Sequence, residues 1–188
     1  KGYEPKMVAG HSLGEYSACT ISGSFSFENG LSLVKLRAEN MQIAGKTNPG
    51  TMAAIIGMSF EDIQHICVNA SKEDSVVVPA NHNSPNQIVI SGNISAVKNA
   101  MEHARESGAR LVKELNVSGA FHSPLMKSAK VALSEALDNI NINNAAIPVY
   151  SNVNAKATIQ ADEIRLNLKN QIDSPVLWTK TISNMKND

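Results

Sequence analysis

Residues 8–18 read VAGHSLGEYSA, and this stretch restricts the possible fold more than any other. Met7-Val8-Ala9-Gly10 is short and apolar, as a buried strand would be, and residues 15–22 have the makeup of a helix. Between them lies Gly10-His11-Ser12-Leu13-Gly14, a GxSxG pattern. In the order strand, GxSxG, helix, glycines allow a sharp turn and close packing, and the turn lifts the serine to the head of the helix. Ser12 is thus a candidate nucleophile, with Leu13 N–H placed to bind an oxyanion. The alternative is a glycine-rich turn carrying a surface serine, since GxSxG arises often by chance.

A serine hydroxyl needs a base within hydrogen-bond reach. The chain offers His11, His65, His82, His103 and His122. His11 adjoins the serine, but neighbouring side chains diverge on such a turn. His65 and His103 fall in helical patterns with surface character. His82 lies at a strand end and could face a cleft. His122 lies in the small-residue loop Ser118-Gly119-Ala120-Phe121-His122-Ser123-Pro124, and position alone favours it. No acidic residue presents itself as the group that orients the base: Asp138 and Asp162 fall at helix ends or in linkers. The orienter is therefore expected to be a backbone carbonyl, or to lie outside this chain.

Elsewhere the pattern alternates. Ser26 caps a helix over 27–44, with Leu31, Val34, Ala38 and Met41 at helical spacing. Residues 52–57, 75–80, 87–91 and 110–117 read as strands, and 59–71 and 94–107 as helices. The order β-α-β-β-α-β is the ferredoxin-like arrangement. The flanking segments predict helices over 125–138, 161–171 and 176–185 and a strand over 147–151, which suggests a parallel sheet covered by helices. The expected architecture is an α/β-hydrolase-like parallel-sheet core, residues 1–50 and 117–188, with an inserted ferredoxin-like subdomain, residues 51–116.

Seventeen basic and seventeen acidic side chains balance, which disfavours a general electrostatic role on nucleic acid or membrane. Cys19 and Cys67 show no metal-ligand or CxxC spacing and read as reduced, buried thiols of a cytoplasmic protein. No pair of histidines has metal-ligand spacing. With no initiator Met before Lys1-Gly2-Tyr3-Glu4-Pro5-Lys6 and a helical pattern still running at Asp188, the sequence reads as an internal piece of a longer chain.

Several stretches together resemble one family. They are GHSLGEYSA at 10–18, LRAENMQ at 36–42, GTMAAI at 50–55, NHNSPNQIVISG at 81–92, AFHSPLM at 120–126 and PVLW at 175–178. This ordered set is similar to the malonyl-CoA:acyl-carrier-protein transacylases of fatty acid synthesis and the related acyltransferase domains of polyketide synthases. The resemblance implies a Ser–His dyad, carried by Ser12 and His122, and an arginine, Arg37, that binds the malonyl carboxylate. A guanidinium forks two donors onto a carboxylate, and an uncharged acyl group would leave it desolvated and unpaired. It also implies substrate-binding places for His11, Met41 and Phe121, the last leaving little room for an α-methyl branch and so favouring malonyl over methylmalonyl. Malonyl-CoA and acyl-carrier protein are the implied partners, with no cofactor, no metal, no nucleic acid and no membrane, and a monomer is expected of the full-length enzyme.

Two family features are expected to be absent: an N-terminal glutamine whose N–H is the second oxyanion donor, and the carbonyl that orients the histidine. Three other readings stay open. A serine thioesterase or esterase would share Ser12 and His122 but normally adds an acidic triad member. A polyketide-synthase acyltransferase domain would share the whole site. A module that only binds carrier protein would leave Ser12 unreactive.

Overall fold

The computed structural model describes residue 2 and residues 4–188; of the lead-in to the first strand, Lys1 and Tyr3 lie outside the described residues. The chain runs β1 (Val8–Ala9), α1 (Gly14–Ile21), α2 (Phe27–Thr47), β2 (Gly50–Ile56), α3 (Phe60–Ala70), β3 (Val77–Ser84), β4 (Gln87–Asn93), α4 (Ile94–Glu106) and β5 (Leu111–Glu114). A single 3₁₀ turn, Pro124–Met126, leads into α5 (Lys127–Asn139), followed by β6 (Val149–Tyr150), β7 (Ala157–Thr158), α6 (Ala161–Gln171) and α7 (Trp178–Asn187). The result is an α/β fold with two sheets.

The first sheet has the order β1-β6-β7. β1 pairs with β6 in parallel, as expected, but β6 pairs with β7 antiparallel. The expected all-parallel sheet is therefore mixed. The connection from β6 to β7 is too short to hold a crossover helix, so the chain can only turn back. Its tight turn puts Ala155 in the left-handed region, at φ 59°.

The second sheet is antiparallel, with the order β3-β4-β2-β5. Its strands follow the period-two rule, so each face carries alternate residues. Ala53 and Ile55 of β2, with Ile88 and Ile90 of β4, face helices α3 and α4 and pack on Ile63, Cys67, Val97 and Met101. Met52, Ala54, Ala80 and Val89 point the other way and meet Leu115, Val117 and Phe121. The helices start where expected: Ser26 Oγ accepts from Asn29 N–H and Ser59 Oγ from Asp62 N–H, each satisfying an amide with no helical partner.

Between the first sheet and its helices lies the largest core, with Tyr16, Leu33, Leu133, Leu137, Ile164, Leu168 and Ile172. Helix α2 turns to this core a face offset from the one its spacing suggested, with Met41 buried and Val34 packed on the core as expected. Gly30, Leu33, Arg37, Met41 and Ala44 are buried, while Leu31 is exposed, as is Ala38. Both stripes fit helical periodicity; α2 is rolled so that α1 can approach Gly30, where an added Cβ would strike Thr20 Oγ1 at 2.5 Å. The roll carries Arg37 inward. The antiparallel sheet is also tied to the segment between α6 and α7: Val176 N–H donates to Ala80 O, and His82 N–H donates to Val176 O, both at 2.9 Å.

The glycines of the GxSxG turn are not equivalent. A Cβ on Gly10 would overlap the carbonyl of Gly14, whereas one on Gly14 meets nothing within 4 Å. The expectation that both must lack a side chain holds only for Gly10; Gly14 contributes its backbone. Gly10→Ala is expected to abolish soluble folded protein. Gly14→Ala, at the first position of a helix, is expected to leave the melting temperature unchanged or to gain up to ~1 kcal/mol. Thermal denaturation of the two variants checks this.

Candidate active site

The turn after β1 is closed by short backbone bonds: Gly14 N–H to His11 O, Glu15 N–H to Ser12 O and Tyr16 N–H to Leu13 O. These engage the amides of the first helical turn and leave Leu13 N–H at its head with no partner among the described residues. Ser12 has φ 52°, a left-handed conformation that costs a non-glycine residue about 1–3 kcal/mol. Asn152, just after β6, holds it there. Its Oδ1 accepts from Ser12 N–H at 2.6 Å and its Nδ2 donates to Gly10 O at 2.7 Å, so one side chain spans the turn.

Ser12 Oγ lies 2.8 Å from His122 Nε2. Like Ser12, His122 has a positive φ, 58°, and it is almost fully buried. Its Nδ1 lies 2.9 Å from Gln171 O. A carbonyl only accepts, so Nδ1 carries the proton and Nε2 presents its lone pair to the serine. Burial pushes the imidazole pKa down to about 4; the Gln171 carbonyl opposes this and Arg37 adds to it. At neutral pH His122 is a neutral base.

Gln171 O fits the backbone-carbonyl alternative and corrects the expectation that the orienting group is absent from this chain. It is the last residue of α6, where helix carbonyls have no helical partner. Ile164, Leu168 and Gln171 recur on one buried face, and that periodicity was visible in the sequence.

Arg37, 6% exposed, comes in from α2. Its Nη2 donates to Ser12 Oγ at 2.7 Å and lies 3.4 Å from Gln171 Oε1. Its guanidinium carbon stands 5.8 Å from the centre of the Tyr16 ring, within cation–π range. Its Nε has no hydrogen-bond partner among the described residues. The nearby Glu15 is 2% exposed. Its Oε2 accepts from Gln171 Nε2 at 2.7 Å and from Asn152 N–H at 3.1 Å. Burial raises the Glu15 pKa to about 7 despite these bonds. Sequence reading missed Glu15 and Asn152 because nothing local marks a polar residue that is buried by partners distant in the chain; for Gln171 the helical phase was the one signal.

A cleft of about 730 Å³ opens over these groups, lined by His11, Ser12, Arg37, Met41, Phe121 and His122, with Asn81 and Asn83 from β3. All six side chains expected at the site are thus brought together. His11 stands aside from the serine, as expected: its Nε2 is 2.8 Å from Asn83 Oδ1 and its ring meets Trp178 edge-on at 5.4 Å. His82 does not face this cleft. Alternation along β3 sends it to the other side, where it stacks on Phe60 with centroids 4.8 Å apart. Among the described residues no three His, Cys, Asp or Glu side chains gather as a metal site, and no helix is long and apolar enough to cross a membrane.

The profile of the family described as "Acyl transferase domain" matches residues 1–187. The chain belongs to this family. Among curated acyl transferase relatives, the malonyl CoA-acyl carrier protein transacylase of Haemophilus influenzae is 43% identical over 185 residues, and that of Bacillus subtilis 42% over 184. Each match covers 98% of this chain but only 59% and 58% of the relative. The chain therefore spans about three-fifths of their length. The transacylase structure from Coxiella burnetii superposes with TM-score 0.95 at 40% identity, covering 99% of this chain and 58% of that one. A structure described as a type II PKS acyl-carrier protein in complex with its malonyl-transacylase matches with TM-score 0.94 at 38% identity, covering 99% and 60%.

The Ser12–His122 pair predicts an unusual acid limit. A depressed histidine pKa keeps the free base present until pH falls through the folded value. Labelling of Ser12 by a neutral sulfonyl fluoride should therefore hold its rate below pH 6.5 and decline with a midpoint near 4. Stability follows the same sign: His122 contributes above its unfolded pKa of about 6.5, and the contribution is lost as pH falls toward 4. Glu15 runs oppositely, its raised pKa favouring the fold at low pH and costing stability as pH rises through 7. A labelling midpoint at 6–7 would contradict the buried, carbonyl-held imidazole.

Proposed function

We propose that the complete protein transfers a malonyl group from malonyl-CoA to the phosphopantetheine thiol of an acyl-carrier protein through a malonyl-serine intermediate. The observation that carries this reading is the convergence of His122 Nε2 and Arg37 Nη2 on Ser12 Oγ, at 2.8 and 2.7 Å. The first makes the serine a nucleophile. The second sets a buried cation where the distal carboxylate of a short acyl group would lie. The relatives' names, malonyl CoA-acyl carrier protein transacylase, agree with it.

In this reading Ser12 Oγ attacks the thioester carbonyl while its proton passes to His122 Nε2. Leu13 N–H binds the oxyanion. The intermediate collapses, the C–S bond breaks, and CoA leaves as its thiol with the proton from His122. The carrier-protein thiol then gives its proton to His122 and attacks the malonyl-serine ester, and serine recovers its proton as it leaves. Arg37 holds the carboxylate bidentately throughout, and Phe121 narrows the space beside the α-carbon.

Residues 51–116 are the ferredoxin-like subdomain of this reading, supported by the order β3-β4-β2-β5. Residues 1–50 and 117–188 are its α/β-hydrolase-like part, with the nucleophile after the parallel strand β1. The buried free thiols Cys19 and Cys67 suit a cytoplasmic enzyme. The esterase reading lacks support at the site: the orienter of His122 is a carbonyl rather than an acid.

Incubating the full-length protein with malonyl-CoA should give a malonyl adduct on Ser12 by peptide mass spectrometry. No adduct, or one that persists in Ser12→Ala, would refute the assignment. Arg37→Ala should lower kcat/KM for malonyl-CoA by about a hundredfold or more, the loss of a buried charge-assisted pair, while acetyl-CoA loses far less. Equal losses for both donors would remove the assigned role of Arg37.

A further inference from the structure

The Gln171 side chain sits where three functional groups meet, and none of the chemistry above uses it. The residue is fully buried. While its backbone carbonyl holds His122, its amide reaches the opposite way. Nε2 donates to Ser12 O at 2.8 Å and to Glu15 Oε2 at 2.7 Å, and Oε1 lies 3.4 Å from Arg37 Nη2. The amide thus stands between a buried carboxyl group and a buried guanidinium. Each would be the natural partner of the other, because two opposite charges out of water attract strongly. Yet no ion pair joins Glu15 and Arg37 among the described residues. Glu15 Oε2 is engaged by Gln171 and Asn152, while Arg37 Nε is left unpaired.

We propose that the Gln171 amide is a positioning and specificity-determining group: a neutral spacer that holds Arg37 beside Ser12 while keeping Glu15 off it, so that the guanidinium stays open for the carboxylate of the acyl donor. The inference rests on the transferase reading above. Amide chemistry suits the task. One end donates, which satisfies the carboxyl oxygen. The other accepts from the guanidinium without neutralising it, and at 3.4 Å that bond is weak enough to yield to a substrate carboxylate. A carboxylate at 171 would pair with Arg37 permanently. An apolar group would let Glu15 turn toward it. The same amide also ties Arg37 to Ser12 O, fixing the distance between the bound carboxylate and the attacking oxygen. Burial supports the arrangement energetically, since it pushes the Glu15 pKa up to about 7 and lessens its pull on the guanidinium.

The test uses the full-length protein and three variants: Gln171→Met, Gln171→Glu and the double variant Gln171→Met with Glu15→Gln. All retain a backbone carbonyl at 171. Steady-state kinetics with malonyl-CoA and acetyl-CoA, and Ser12 labelling by a neutral sulfonyl fluoride, are measured for each. Gln171→Met should raise KM for malonyl-CoA about tenfold or more, the scale of one charge-assisted bond, and narrow the malonyl-over-acetyl preference by a similar factor. The labelling rate should fall less than malonyl transfer. Gln171→Glu should raise KM for malonyl-CoA further. Adding Glu15→Gln to Gln171→Met should recover part of the lost preference, because the competing carboxylate is gone. Equal losses in malonyl transfer, acetyl transfer and labelling, or a double variant worse than the single one, would overturn the spacer role and leave a packing role. If the wild-type protein forms no malonyl-serine, the transferase reading fails instead, and the two failures are distinct.

Discussion

The backbones at Gly10 and Gly14 approach so closely that no side-chain carbon fits between them. That contact folds five residues into a turn tight enough to force Ser12 into a left-handed conformation. The strain is sustained from outside: Asn152 reaches across from the end of β6 and grips the turn at Gly10 O and Ser12 N–H. The parallel pairing of β1 with β6 brings Asn152 within reach. Sheet, turn and Ser12 are thus one mechanical unit, and His122 and Arg37 have a fixed oxygen to converge upon.

Around that oxygen the protein has taken several polar groups out of water. A buried guanidinium, a buried carboxyl and a buried imidazole would each be costly alone. Here the imidazole is neutral, the carboxyl is raised toward neutrality, and the guanidinium keeps its charge against an aromatic face and two neutral oxygens. The guanidinium stands as a buried cation beside the Ser12 hydroxyl.

Much of this was legible in the sequence. Ser26 and Ser59 announced their helices, and the β-α-β-β-α-β run announced the antiparallel sheet. Ser12 came from the GxSxG pattern, His122 from its place in a small-residue loop, and Arg37 only from the family resemblance. Three things escaped, for physical reasons. The face of α2 was misjudged because two apolar stripes share its periodicity, and only the close approach of α1 at Gly30 decides between them. The reversal at β7 was missed because two-residue strands carry almost no pattern. Gln171 went unnoticed because its backbone does part of its work, and a carbonyl is the same in every residue. Its buried phase on α6 was the one available clue.

The hydrogen bonds of Val176 to Ala80 and His82 have a mechanical implication. Besides its two covalent connections, near residues 50 and 117, the four-stranded sheet is tied to the rest by this borrowed ladder, by Thr179 Oγ1 donating to His82 O and by the His11–Asn83 contact. Two covalent connections alone can act as a hinge; the added hydrogen bonds resist it. Opening the slot by swinging one unit away would require breaking these bonds. The link therefore opposes a jaw-like parting of the four-stranded sheet from the segment that leads into α7.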